Sequence, residues 1–375
     1  MIPKLPSIFP EGASGPASPK IFLGSSPVEA SDVYGSLSTI KVNTSRKGPA
    51  LATIELTCFR DEAGRWPIID NGYFRRWKAI RLEVDFEAFS QHLLTGYILK
   101  MTPEFPEDRA EAKLTVEIQD ETALLDRQQK ERIWPSDGSG QSVSDDFVVR
   151  AVANDYVQPL SLSPYSAEGQ ISRTLNQSKT DYAFLLERAD ASAYEFRIVD
   201  SEIYFGPPRL SSSAQPALLV YAGGDTNTTG FKVEDSADAP EAANAAATDA
   251  ASGAVNDNRI TPDLPILGDV AVETGDGVAP YELRVAPQGD LSESALRALA
   301  QGQINEASLS IRAECEIDGT LYGHVLLPGQ LVEVDGVGDR YGGAWYVDTV
   351  EHELDALGYR QKAVLLRNGV GREVV

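Results

Sequence analysis

Acid, base and metal chemistry would have to come from few side chains here, since the chain has 3 histidines and 2 cysteines among 375 residues. Glu351-His352-Glu353 imitates the first half of a zinc-helix motif, but the second histidine would fall at position 356, which is Ala356. Without it the metal lacks its second ligand, and a structural strand histidine is expected. His92 follows Phe89 and His324 follows Gly323 in an apolar run, so both read as packed or surface groups rather than bases. Asp225-Thr226-Asn227-Thr228-Thr229-Gly230 resembles the opening of a calcium loop, yet Ser236 stands where the closing bidentate glutamate is needed, and a polar hairpin is expected. Asp145-Asp146 and Glu107-Asp108 pair carboxylates, but adjacent positions on a helix point about 100° apart, which suits two-carboxylate glycoside chemistry poorly. Neither a Gly-x-Ser-x-Gly elbow nor a phosphate-binding loop occurs, and Gly336-Val337-Gly338 lacks the third glycine of a dinucleotide fingerprint, position 341 being Tyr341. No catalytic, cofactor-binding or metal residue is therefore assigned. One constellation remains, Tyr73-Phe74-Arg75-Arg76-Trp77-Lys78 with Arg81. Interleaved cations and aromatics can grip phosphates and stack bases, or dock on an acidic protein surface.

The overall charge favours the second use. Lysine and arginine number 33 against 56 aspartates and glutamates, giving 33 − 56 = −23, which repels phosphate backbones and anionic lipid. Specific nucleic-acid binding is not expected. Arg75, Arg76, Trp77, Lys78 and Arg81 are the candidate protein–protein contacts, against an acidic copy of this chain or another acidic protein. Cys58 and Cys315 read as buried small hydrophobes rather than a disulfide or a thiolate metal site. No run of about 18 apolar residues exists, so no transmembrane span is expected. Met1 to Pro19 carries five prolines and no apolar core, which is not a secretory signal. The chain is expected to reach its working place from the cytoplasm without the general export route.

These residues need a scaffold, and 375 residues with 42% hydrophobic and 24% charged side chains suit roughly two to three globular units. Residues 1–30 read as an extended, proline-punctuated arm. Over 31–120, period-two runs such as Ala52-Thr53-Ile54-Glu55-Leu56 and Ala79-Ile80-Arg81-Leu82-Glu83-Val84 predict an antiparallel β unit wet on one face. Residues 121–210 predict a small α+β unit: helical character over Glu121–Ile133 and a glycine- and serine-rich break over Pro135–Ser144 come first. A helix from Asp145 capped by Ser144 and a helix from Thr180 or Asp181 follow, with a hairpin turning at Asp200-Ser201. Within 211–290, positions 237–254 hold ten alanines among eighteen residues, and 235–290 hold eleven acids against Arg259 and Arg284. Residues 211–290 are expected to hold a strand, and then this acidic stretch as a solvated helix, a linker or an insertion without a core of its own. Residues 291–375 predict a helix through Leu296, Leu299 and Ile304, then a second β unit ending in Gln361–Leu366.

Several runs in order resemble the contractile-tail baseplate hub family, also called late control D. This family includes hubs of phage tails and of extracellular contractile injection systems, and the N-terminal part of type VI secretion spikes. They are Leu93-Leu94-Thr95-Gly96-Tyr97-Ile98 to Pro103, then Leu114 to Asp120; Tyr182 to Ala189 with Ile203-Tyr204-Phe205-Gly206-Pro207-Pro208; and Gly323 to Gly338, Gly343-Ala344-Trp345-Tyr346-Val347-Asp348 to Glu353, and Gly358 to Asn368. The resemblance implies an α+β, mainly β chain in which two tail-tube-like antiparallel β units, barrel or sandwich, flank the small α+β unit. It implies a homotrimer forming a pseudo-six-fold ring that joins the six-fold inner tube to the three-fold spike, in the baseplate of a phage tail or phage-tail-like particle assembled in the bacterial cytoplasm. Implied partners are other copies of the chain, the inner tube protein, other baseplate proteins and a separate trimeric spike, since no appended spike or lysozyme module follows. No enzymatic activity and no cofactor are implied. Two other readings are a tail-tip cell-wall glycan hydrolase, with Asp145 or Glu187 as first suspects, and a carbohydrate-binding β-sandwich.

Overall fold

The computed structural model describes residues 17–28, 31–108, 111–135, 143–156, 160–162, 175–248, 255–272, 278–285 and 293–371. The arm before Ala17, the break over 136–142 and the alanines at 250, 251 and 254 lie outside the described residues. The chain is α+β and mainly β. Alternation does what period two demands: Ile40 and Val42, Ile54 and Leu56, Ile80, Leu82 and Val84, and Leu114, Val116 and Ile118 are all buried on one face of the sheet. Each such side chain contributes about 1.5–3 kcal/mol by leaving water.

Antiparallel neighbours run from Leu37–Ser45 through Leu51–Thr57, Lys113–Asp120, Ser90–Glu104 and Ala79–Asp85 to Ser18–Leu23. Within the stretch read as an arm, Ser18–Leu23 is instead a strand, paired with Ala79–Asp85 from Ser18↔Asp85 to Leu23↔Ile80. The closing unit adds Gly343–Asp355, Gly358–Arg367, Ile311–Asp318 and Thr228–Asp235.

The two β units form one sheet of 13 strands rather than two separate ones. Gly343–Asp355 pairs with Leu37–Ser45 from Thr349↔Ser45 to Asp355↔Thr39. Earlier in its course the same strand pairs with Leu331–Asp335. Its register against Gly358–Arg367 slips between Val347 and Thr349, a bulge at Asp348 that lets one strand serve both partners. The wet face carries charges opposed across strands: Lys41 bonds Glu353 at 3.0 Å, Arg360 bonds Glu353 at 3.0 Å and Asp355 at 2.7 Å, and Lys100 bonds Glu117 at 2.6 Å. Opposite charges on facing positions favour this register over a slipped one.

The middle unit packs Trp134, Phe184, Leu185, Phe196 and Phe205 together. Ser144 caps helix Asp145–Asn154 and Thr180 caps helix Asp181–Ser192, each accepting a backbone N–H three residues on. Ser201 turns the hairpin with φ 64° after Asp200 at 48°. The helical character read over Glu121–Ile133 reduces to one turn, Thr122–Leu125. Gln129–Trp134 is instead a strand against Leu175–Thr180, where pairing outweighs local propensity. Glu121 ties this unit to the hairpin, accepting from Ser201 N at 2.6 Å and Ser201 Oγ at 2.5 Å.

The alanine-rich stretch is neither helix nor linker where it is described. Ala242–Thr248 is a strand, antiparallel to Val255–Ile260 and parallel to Glu282–Val285. Ala243 and Ala245 lie under Leu296, Ala300 and Ile304 of helix Glu293–Ser308. Small side chains on both elements permit that close approach. A methyl group on Gly302 would meet Ser192 O at 2.7 Å, so the helix also needs glycine where it crosses the end of Asp181–Ser192.

His352 lies in the seam between the β units, opposite Val42 on one side and Gln361 on the other. It is fully buried, with Nδ1 2.9 Å from the Tyr359 hydroxyl. Burial, against a smaller opposing effect of Gln361, takes its pKa down to about 3. An unfolded histidine titrates near about 6.5. Between those values the unfolded chain binds the extra proton, so this contribution to stability is complete above about pH 6.5 and is lost as the pH falls toward about 3. We expect His352→Gln to flatten the fall in urea-unfolding free energy between about pH 7 and about pH 4. An unchanged slope would place the titrating group elsewhere.

Candidate functional site

The basic, aromatic run forms the corner that leads into strand Ala79–Asp85. It follows the short helix Pro67–Asp70 and is pinned by backbone bonds, Trp77 N donating to Ile98 O at 2.7 Å and Ile98 N to Lys78 O at 3.1 Å. Trp77 adopts φ 63°, a left-handed backbone that costs a bulky residue about 1–3 kcal/mol. Trp77 is 40% exposed, its ring is 6.3 Å from that of Tyr97 between centroids, and the Arg127 guanidinium lies 4.1 Å from the ring centre. Arg75 and Arg76 are exposed, as is Arg127. Among the described residues none of these three makes an ion pair, although the chain has a large excess of carboxylates.

The five predicted contacts therefore divide. Arg75, Arg76 and Trp77 face outward. Lys78 is half-buried and donates to Tyr73 O at 2.9 Å; burial, helped by the Arg75 charge, pushes its pKa down. Arg81 places Nε 3.1 Å from Glu83 and stacks 4.2 Å over Phe22, so it works within the sheet. Arg127 completes the corner from fifty positions further along. Nothing in the local sequence marks it, because only the fold brings the end of the Thr122–Leu125 turn over Trp77.

The two carboxylates considered for glycan hydrolysis are engaged elsewhere. Asp145 is buried and accepts from Arg188 Nε at 2.8 Å, Arg188 NH2 at 3.2 Å and Ser192 Oγ at 3.3 Å, locking helix to helix. Glu187 lies at the surface, paired with Lys179. Asn227, read in the calcium-like run, spends its amide on strand Gln215–Leu219, accepting from Leu219 N at 2.8 Å and donating to Ala217 O at 3.1 Å. It thereby covers part of an unpaired sheet edge.

A cavity of about 360 Å³ lies between the first β unit, the hairpin and the segment Leu327–Gln330. Asp120 forms part of its wall, accepting from Ala50 N at 2.7 Å and Thr122 N at 3.1 Å. Burial raises its pKa to about 7 despite those donors. A wider groove of about 630 Å³ crosses the wet face beside Lys232, Glu314, Glu316 and Lys362.

The family model described as the Alg8 N-terminal domain matches residues 26–356. The chain belongs to this family. No curated protein matches it. Solved structures do. The 43 kDa tail protein of prophage MuSo2 from Shewanella oneidensis is 13% identical with a TM-score of 0.64, over 94% of this chain and 98% of that one. A tail protein from Neisseria meningitidis is 12% identical with a TM-score of 0.63, over 95% of this chain and 98% of that one. An E. coli protein described as a type VI secretion system component with structural similarity to T4 bacteriophage tail proteins is 12% identical with a TM-score of 0.56, over 90% of this chain and 76% of that one. At such identities the likeness is one of fold, and it runs nearly the whole length of the chain. Among the described residues no helix is long and apolar enough to cross a membrane.

If the corner is a contact surface rather than a structural element, its outward arginines can change sign at little cost to folding. Arg75→Glu/Arg76→Glu/Arg127→Glu should unfold in urea within about 1 kcal/mol of the parent. A loss above about 2 kcal/mol would make these side chains structural.

Proposed function

We propose that the chain is a structural baseplate hub subunit of a contractile injection particle, acting without chemistry of its own. Three copies would form a pseudo-six-fold ring joining the six-fold inner tube to a separate three-fold spike. The observation that carries this reading is the lateral fusion of two antiparallel β units into one sheet, in a fold shared over almost its full length with phage tail proteins. A subunit with two such units side by side supplies six units from three copies, the arithmetic required where six-fold symmetry meets three-fold symmetry.

The remaining features suit the same role. The seam is hydrogen-bonded throughout and dry on one face, so the two units move as one plate. Two sheet edges are blunted: Asn227 covers Gln215–Leu219, and Ser18–Leu23 is capped where the Tyr34 hydroxyl lies 3.1 Å from Ile21 N and Val28 N donates to Ile21 O. Among the described residues Thr228–Asp235 pairs on one side only in the sheet. The Arg75, Arg76, Trp77 and Arg127 corner is the proposed contact for an acidic neighbour in the particle, with Lys78 and Arg81 supporting it from within.

Light-scattering mass of the chain co-expressed with the spike protein of its particle tests the reading. A 3:3 complex is expected, lost when Arg75, Arg76, Lys78 and Arg81 are all changed to Glu. A stable monomer that ignores the spike would contradict the hub role. A normal complex from the substituted chain would contradict the contact assignment alone.

A further inference from the structure

Two arginines converge on one tyrosine ring inside the cavity beside the hairpin. The guanidinium carbon of Arg209 lies 4.2 Å from the Tyr204 ring centre, and that of Arg197 lies 5.8 Å from it. All three residues line the cavity of about 360 Å³. Arg197 stands directly across the hairpin from Tyr204 and is buried. It donates one N–H to Pro328 O, and Gly329 closes over it so tightly that a methyl group there would sit 2.9 Å from the guanidinium carbon. Arg209 follows the Gly206-Pro207-Pro208 run and is half-buried, and its Nε has no hydrogen-bond partner.

Neither guanidinium has a carboxylate within ion-pair distance among the described residues. Glu195 acts on Arg197 through space; its Oε1 is held by Arg46 at 3.3 Å and by the Tyr346 hydroxyl at 2.7 Å, while its Oε2 is buried without a hydrogen-bond partner and outside ion-pair distance of Arg197. The cavity is also lined by three acids. Asp120 is bonded to Ala50 and Thr122, Asp200 accepts from Thr95 Oγ1 at 3.4 Å, and Glu202 begins the return strand of the hairpin. The chamber thus combines two always-charged guanidiniums with hydrogen-bond acceptors in one lining.

Two like charges over one ring repel unless an anion lies between them. Burial opposes the charge on Arg197; the Glu195 carboxylate offsets part of that, and the Arg209 charge adds a smaller opposing effect. Paired planar guanidiniums offer parallel N–H donors with the spacing of a carboxylate, and the tyrosine face holds them in orientation. We propose that this cavity binds a carboxylate between Arg197 and Arg209, with acceptors elsewhere in the lining taking N–H donors from the same ligand. The carboxylate could belong to an acidic side chain of a neighbouring polypeptide or to a free small acid; the recognising chemistry is the same. The proposal is independent of the hub reading.

Ligand-observed saturation-transfer NMR on the full chain tests it, with acetate in one arm and the capped peptide acetyl-Gly-Glu-Gly-amide in the other at equal ionic strength. Saturable binding is expected for the parent, weakened at least about tenfold by Arg209→Gln, the loss of one charge-assisted pair. Arg209→Lys, which keeps the charge without the fork, should fall between the two. Tighter binding of the peptide would assign the site to a polypeptide partner, and equal binding would assign it to a small acid. No saturable binding by the parent, or undiminished binding by a folded Arg209→Gln chain, would overturn the proposal.

Discussion

Arg46 is the point at which four parts of the molecule meet. It leaves the seam strand Leu37–Ser45 and is almost fully buried. Nε donates to Asp348 at 2.7 Å, NH1 donates to Glu195 at 3.3 Å and to Glu306 at 3.1 Å, and NH2 donates to Glu306 as well. Asp348 is the bulge of the closing unit, Glu195 opens the hairpin of the middle unit, and Glu306 lies on the helix that covers the alanine strand. Burial alone would lower the pKa of Arg46, but the Glu306, Glu195 and Asp348 carboxylates raise it further than burial lowers it. Burial raises the pKa of Glu195, and Arg46 and Tyr346 offset only part of that. Such a network is strong evidence about geometry: removing one partner of a buried pair costs about 3–5 kcal/mol because the others are left charged and dry.

The node explains why the two β units do not behave as beads on a string. The bulge at Asp348 both turns its strand between two partners and supplies the carboxylate that fixes the turn. Arg46 N donates to Asp348 O at 3.0 Å, so backbone and side chain enforce one register across the seam. The dry face then runs continuously, with Leu354 and Tyr359 of the closing strands packed in the core of the first unit. The wet face keeps its charges paired across strands.

Much of this was legible in the chain because the signals are local. Period-two runs marked the strands around Ile54, Leu82 and Val116, and Ser144 and Thr180 announced their helices by capping chemistry. The failures share one cause, which is that the deciding contacts lie far apart in sequence. Ala242–Thr248 has the composition of a helix and becomes a strand because two neighbours take its backbone bonds and Ala300 fits over its small side chains. Leu37–Ser45 joins Gly343–Asp355 across some three hundred residues, a pairing that no alternation can forecast. Arg127 reached the Trp77 corner, and Arg197 and Arg209 reached the same tyrosine, by the same long-range route. In the predicted basic run, pattern could not tell Arg75 and Arg76, which face water, from Lys78 and Arg81, which the sheet uses.

The central claim is that Arg46 couples all four parts. Hydrogen exchange on the parent and on Arg46→Met, which keeps most of the volume and removes the charge, tests it directly. The account predicts that strands Glu195–Val199 and Gly343–Asp355 and helix Glu293–Ser308 lose protection together. Loss confined to the residues next to position 46, with the three distant elements unchanged, would contradict it.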